Sequence, residues 1–295
     1  MNIGYACLTI GDKSIKYKSC KLKNATEKRI ATIIEHNLNS LEKAIEYNHI
    51  NNIKLFRISS DIIPFGSKEV ISKSFEKDFK KKFKEIGNKI KKYNIRVSMH
   101  PGQYTVLNSI NNDVVKNSIA DLEYHTKVLE ALGTNTSSKI VLHIGGVYGD
   151  KKESINRFIQ NYKKLDKRIK KRIVIENDDK SYDINDVLNI SKKINCPVVF
   201  DVLHNKINCY DESKDNLYWI ILCLKTWKKK DGIPKIHYSE QDENKKIGSH
   251  SLTINTEEFM NFYYQVKHLK LDIMLEVKDK DISAIKCINR INDII

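Results

Sequence analysis

Short apolar runs recur along the chain at Ile3–Cys7, Ile53–Ser59, Ile95–Met99, Lys139–Leu142, Ile173–Ile175, Pro197–Phe200, Lys235–His237 and Asp272–Leu275. Most are continuous Val/Ile/Leu stretches, without the polar alternation of a half-exposed sheet. They predict parallel strands buried on both faces. Stripes of helical period lie between them. Ile30, Ile34, Leu38, Leu41 and Ile45 step by 4, 4, 3 and 4, and Phe75, Phe79, Phe83, Ile86, Ile90 and Tyr93 by 4, 4, 3, 4 and 3. Each series lines one side of a helix. Similar stripes run through Val115–Leu132, Ile155–Ile169, Leu217–Leu224 and Phe259–Val266, while the segment 184–194 is shorter and less regular. Strand and helix alternating eight times over 295 residues predicts an α/β protein of one domain, a (β/α)8 TIM barrel. No Gly/Ser/Pro-rich linker and no close repeat interrupts the pattern.

Composition narrows the class. Hydrophobic residues are 40% and charged residues 30% of the chain, enough apolar material for a core and unlike a disordered protein. The longest clean apolar run, Leu217–Leu224, falls far short of the ~18–20 residues that span a bilayer. No basic-then-apolar leader opens the sequence. A soluble, unexported, cytoplasmic protein acting as a monomer is expected. The six cysteines are scattered without a Cys-x-x-Cys pair, as reduced thiols are. Net charge is +15, which favours an anionic partner, nucleic acid first. Of the 52 basic residues only seven are Arg, and Lys, Asn and Ile abound together, a pattern that codon bias alone produces. The Lys-rich stretches Lys77–Lys92, Lys163–Lys171 and Lys225–Lys230 fall on predicted helices or their ends, and we expect them on a solvated outer surface.

Candidate chemistry sits where the strands end. Strand three runs into His100-Pro101-Gly102-Gln103-Tyr104, strand four into His143-Ile144-Gly145-Gly146, strand five into Glu176-Asn177-Asp178 and strand six into Asp201-Val202-Leu203-His204. Strand seven carries Lys235 and His237, the next loop holds His250, and strand eight ends in Glu276. In a barrel these ends converge on the face where active sites form. A single His at a strand end is ordinarily a packed structural residue. A series on six strands is not explained by packing, because buried carboxylates are costly without a metal or a counter-charge. Mixed imidazole and carboxylate donors suit Zn2+, Mn2+ or Fe, and so many of them imply two or three ions. Clustered divalent ions serve hydrolysis of phosphate esters. Neither a phosphate-binding Gly-x-x-x-x-Gly-Lys loop nor a Gly-x-Ser-x-Gly elbow occurs. Gly145-Gly146 lacks dinucleotide-fingerprint spacing and is expected to keep the backbone small beside the mouth.

These residues resemble the UV damage endonucleases, relatives of endonuclease IV among the xylose-isomerase-like barrels. The resemblance spans Gly4-Tyr5 to Glu276-Val277-Lys278. It is most specific at Arg57–Phe65, at Ser98-Met99-His100-Pro101-Gly102-Gln103-Tyr104 and at His143–Gly149. It implies an enzyme that nicks double-stranded DNA immediately 5′ of cyclobutane dimers and 6-4 photoproducts, and also at abasic sites. It implies Mn2+ dependence, with His100, His143, Glu176, Asp201, His204, His237, His250 and Glu276 as ligands. Lys235 matches a lysine carboxylated near the metals, Gln103 and Tyr104 match a pair that probes the lesion, and Tyr5 matches a further lesion-site aromatic. Glu176, Glu276, Lys235 and His237 would form the catalytic group. The sequence departs from some members in a shorter loop after Tyr5 and in Asp61, which stands where they have His. Rival readings are an endonuclease IV-like abasic-site enzyme, a metal-dependent sugar isomerase of the same barrel type, and a catalytically dead DNA-binding barrel. The Gln103-Tyr104 pair and the basic balance favour DNA over sugar.

Overall fold

The computed structural model describes residues 1–68 and 74–294. Eight strands, β1 (Ile3–Cys7), β2 (Leu55–Ile58), β3 (Arg96–Met99), β4 (Ile140–His143), β5 (Ile173–Glu176), β6 (Val198–Val199), β7 (Lys235–Tyr238) and β8 (Asp272–Leu275), form one sheet in the order β6-β5-β4-β3-β2-β1-β8-β7. Every pairing is parallel. The two edges meet through a parallel bridge between Asp201 and His237, where the His237 N–H donates to the Phe200 carbonyl at 2.9 Å. The sheet is a nearly closed (β/α)8 barrel. All eight strands begin and end within two residues of the apolar runs that predict them.

The outer layer comprises α1 (Glu27–Ile50), α2 (Phe75–Asp78), α3 (Lys80–Lys92), α4 (Asn112–Ala131), α5 (Lys151–Lys164), α6 (Lys167–Arg172), α7 (Ile184–Ile194), α8 (Val202–Ile207), α9 (Asn216–Leu224), α10 (Thr256–Val266) and α11 (Asp281–Asn292). Short polar side chains start many of them by accepting a first-turn N–H that has no helical partner. Asp150 caps α5, Asp183 caps α7, Asp215 caps α9 and Asn255 caps α10. The apolar stripe Ile30 to Ile45 is buried against the barrel. The stripe read through Ile155–Ile169 is broken, because Asp166 accepts the Arg168 N–H at 2.6 Å and starts α6 afresh.

Two ion-pair systems bear on the charge reading. Lys82 and Lys89 of α3 pair with Glu42 and Glu46 of α1. At the N-terminal end of the strands, buried Lys139 bonds Asp231 at 2.6 Å and the Lys171 carbonyl at 2.8 Å. Among the described residues no helix is long and apolar enough to cross a membrane.

Candidate metal centre and its DNA-facing rim

Parallel register builds the centre. His143 at the end of β4 lies beside Glu176 at the end of β5, and Asp201 beyond β6 bridges His237 in β7. Adjacent strands are about 4.8 Å apart, so side chains at one level of the barrel interior must meet. His100 Nε2 and His143 Nε2 each lie 3.1 Å from Glu176 Oε2. His237 Nδ1 contacts Glu176 Oε1 and lies 3.1 Å from Glu276 Oε1. The imidazoles form a continuous row: ring centroids are 6.2 Å apart for His237 and His100, 5.1 Å for His100 and His143, 5.8 Å for His143 and His204, and 6.5 Å for His204 and His250. All eight candidate ligands therefore share one mouth.

Their donor atoms are not equally gathered. His100, His143 and Glu176 offer ligand atoms all within 4.8 Å of one another, as do Glu176, Asp201 and His237, so Glu176 is common to both groups. Glu276, His204 and His250 stand in neither. Glu276 is held by the Arg57 guanidinium. His204 does not end a strand: Asp201 caps α8 by accepting the His204 N–H at 2.8 Å, which places His204 on the first helical turn. Asp61, on an exposed turn, is likewise outside both groups.

Three histidines have their tautomers set. Nδ1 of His100 donates to the Pro101 carbonyl at 3.0 Å, Nδ1 of His204 to the Asn177 carbonyl at 2.9 Å, and Nδ1 of His250 to the Glu276 carbonyl. Each leaves Nε2 as the free donor atom, the arrangement that orients metal-binding imidazoles. Four buried atoms without a hydrogen-bond partner lie in the same place: Glu176 Oε1, Asp201 Oδ2 and both ring nitrogens of His237. Orphaned buried polar atoms are costly, and a cation is what this all-oxygen and nitrogen set fits.

The electrostatics follow from burial and crowding. Burial pushes the Glu176 carboxyl up, but His237, His100 and His143 together hold it well below the usual carboxylate range. Burial likewise opposes ionisation of Glu276, and Arg57 and His237 overcome it. Burial, with Arg57 nearby, lowers His100 to about 4 despite Glu176. Asp201 is raised, first by burial and then by Glu176 and Glu276. Lys235 stands two residues before His237 and so faces the same interior. It is 1% exposed and donates to Ser98 Oγ at 3.1 Å. Burial, with Arg96 and Arg57, brings it down to about 7.

The rim divides the three proposed lesion contacts. Gln103 and Tyr104 are the two central residues of a β-turn closed by the Thr105 N–H on the Gly102 carbonyl at 2.9 Å, and Tyr104 is 68% exposed. A Cβ at Gly102 would lie 2.4 Å from Tyr104 Cε1, so a larger residue there would displace the exposed ring. Tyr5 is different. It is fully buried, with its hydroxyl donating to Asn48 at 2.8 Å and 2.6 Å from Thr9 Oγ1, and its ring tilted on Phe56 at 5.0 Å. In this structure the ring packs in the core and offers no face at the rim. Gly145 does keep its place beside the mouth small: its φ is +112° and a Cβ would lie 2.3 Å from Asn108 Oδ1.

Two rim cations escaped the sequence reading. Arg57 lay inside a quoted motif, but its partner Glu276 is 219 residues away and no local pattern joins them. Lys280, half-buried with Arg57 and Glu276 as electrostatic neighbours, takes a φ of 52° at the start of α11. A positive φ at a non-glycine residue is often a mark of a functional position, though it leaves no trace in sequence.

The family model for UV-endonuclease UvdE matches residues 1–294. A UV DNA damage endonuclease of Clostridium perfringens (strain 13 / Type A) is 50% identical over 296 residues, covering 100% of this chain and 71% of that protein. The crystal structure of SacUVDE matches with a TM-score of 0.94 at 39% identity, over 100% of this chain and 99% of that one. Endonuclease IV from Thermus thermophilus shares the barrel fold, with a TM-score of 0.60 and 12% identity over 98% of each chain. On the match to nearly its whole length, the chain belongs to the UV-endonuclease UvdE family.

Proposed function

We propose that this chain is a metal-dependent DNA repair endonuclease acting inside the cell as a monomer. It hydrolyses the phosphodiester immediately 5′ of cyclobutane pyrimidine dimers and 6-4 photoproducts, and acts at abasic sites. One observation carries the metal dependence. With Nδ1–H committed to the Pro101 carbonyl, His100 presents the lone pair of Nε2 to Glu176 Oε2 at 3.1 Å. Two acceptors at that separation repel unless a cation or a proton lies between them, and burial disfavours the proton.

Mn2+, two or three ions, would be held by His100, His143, Glu176, Asp201, His204, His237, His250 and Glu276. When bound, such ions supply Lewis acidity that activates water and offsets charge on the phosphate. The chain's own groups do the rest. Glu176, shared by both donor groups, would serve both. His237 and Glu276 hold each other in place, and Arg57 fixes Glu276 while adding positive charge at the phosphate. Lys235, buried with a neutral hydroxyl as its hydrogen-bond partner, suits the carboxylated state that would make it a further oxygen donor. Gln103 and Tyr104, on an exposed turn beside the mouth, would enter the duplex at the lesion. A stacking ring replaces a lost neighbour at a gain of about 1–3 kcal/mol per base.

The test is a 5′-labelled duplex carrying one dimer at a known position, incubated with Mn2+. The expected product ends at the nucleotide immediately 5′ of the dimer. A cut elsewhere, or cleavage of an abasic duplex alone, would overturn the assignment.

A further inference from the structure

Helix α4 carries a buried polar stripe that catalysis does not use. Ser118, Asp121 and His125 lie three and four residues apart, on one helical face, and are 3%, 6% and 0% exposed. Burying such groups costs free energy unless each is bonded, so their partners matter. All three partners lead to one loop. On the exit side of the Gln103–Tyr104 turn, buried Thr105 donates its hydroxyl to Asp121 Oδ2 at 2.6 Å, and the next N–H, that of Val106, donates to Ser118 Oγ at 2.9 Å. On the entry side, the Ser60 hydroxyl sits between the His100 carbonyl at 2.6 Å and His125 Nε2 at 2.9 Å, and its single proton serves one of the two at a time. His125 Nδ1 in turn donates to the Asp121 carbonyl at 2.6 Å.

We infer that this stripe is a clamp, and that Thr105, Asp121 and His125 are positioning residues for lesion recognition. Helix α4 grips the exit of the segment that carries a proposed metal ligand, His100, and the exposed turn, and reaches its entry through Ser60. The turn's two outward side chains make no such bonds to the stripe, so their placement is inherited from the anchors. Tyr104 must be presented at a fixed height above the mouth if it is to replace a stacked base beside the phosphate that is cut. A hydroxyl bonded to a buried carboxylate is a strong, directional anchor for that purpose. The inference rests on the proposed lesion-probing role of Gln103 and Tyr104.

The test uses the full chain loaded with Mn2+ and four variants: Thr105→Val, Thr105→Ser, Gln103→Ala with Tyr104→Ala, and all three positions changed together with Thr105→Val. Valine keeps the shape and removes the hydroxyl, and metal content with thermal stability monitors folding. Thr105→Val is expected to weaken binding to dimer-containing duplex about tenfold, equivalent to 1.4 kcal/mol, with binding to undamaged duplex unchanged. Thr105→Ser should restore it, and Thr105→Val should add nothing once Gln103 and Tyr104 are gone. A merely structural role would lower both duplexes alike, or add its full effect in the combined variant; either result overturns the clamp. Wild-type binding by Thr105→Val, beside a defective Gln103→Ala/Tyr104→Ala protein, overturns the clamp and leaves the probing role standing. Wild-type lesion binding by the latter protein removes the probing role and the clamp together.

Discussion

At Glu176 two groups of donor atoms share one carboxylate, and its consequences can be measured. Losing a residue that merely orients a metal ligand typically costs 10–100-fold in affinity or activity. Glu176→Gln, which removes the carboxylate shared by both donor groups, is predicted to lower nicking of damaged DNA by more than about 100-fold. Affinity for undamaged duplex should stay near wild type. Turnover within tenfold of wild type would exclude Glu176 from the catalytic group. Tyr5 provides the opposite case. Tyr5→Phe strands a buried amide acceptor on Asn48, and should lower stability by about 1–3 kcal/mol, read as a fall in Tm. Lesion binding should not change, and a selective loss on damaged duplex would restore Tyr5 to the rim. The contrast shows what a residue's type and order can reveal. Strand-end His and carboxylate residues were legible because eight strand ends can converge on only one mouth. Tyr5 was not, because its register beside Phe56, one residue off inward-facing Arg57, turns its ring outward towards α1, where Asn48 and Thr9 bond its hydroxyl.

At the scale of elements, continuous apolar runs marked strands well because parallel strands are buried on both faces. The errors fell where a single capping residue interrupts a longer pattern. Asp201 turns the chain into α8, so a candidate ligand read as strand-borne, His204, rides a helix; the Asp-x-x-His spacing carried that signal. Asp166 divides one predicted helix into two in the same way. The far end of the barrel yields its own prediction. Removing one partner of a buried ion pair costs about 3–5 kcal/mol, because the other charge is left without compensation. Asp231→Ala should destabilise the fold by that amount through Lys139. The mouth lies at the opposite ends of the strands, so kcat on damaged DNA, measured well below Tm, should be retained. A lost activity with unchanged Tm would show that the two ends are coupled.

Across the whole molecule the +15 charge is less available than it looks. Lys82 and Lys89 are tied to α1 glutamates, and Arg168 is tied to Glu123 and Glu130. Affinity for DNA should fall linearly with salt on a log–log plot, with a slope of about −0.9 per phosphate contacted. Neutralising exposed Lys81, Lys84 and Lys91 of α3 to Gln should leave that slope unchanged, and a clear drop would place α3 on the DNA footprint. The central claim is that the converged imidazoles and carboxylates form the metal site of an enzyme that cuts UV-damaged DNA. Nicking of supercoiled plasmid tests it most directly, with and without prior irradiation, with Mn2+ or with chelator. The account predicts relaxed circles only from irradiated plasmid with Mn2+, their loss on chelation, and their return when Mn2+ is restored in excess. Equal nicking of both plasmids, or undiminished nicking after full removal of metal, would contradict it.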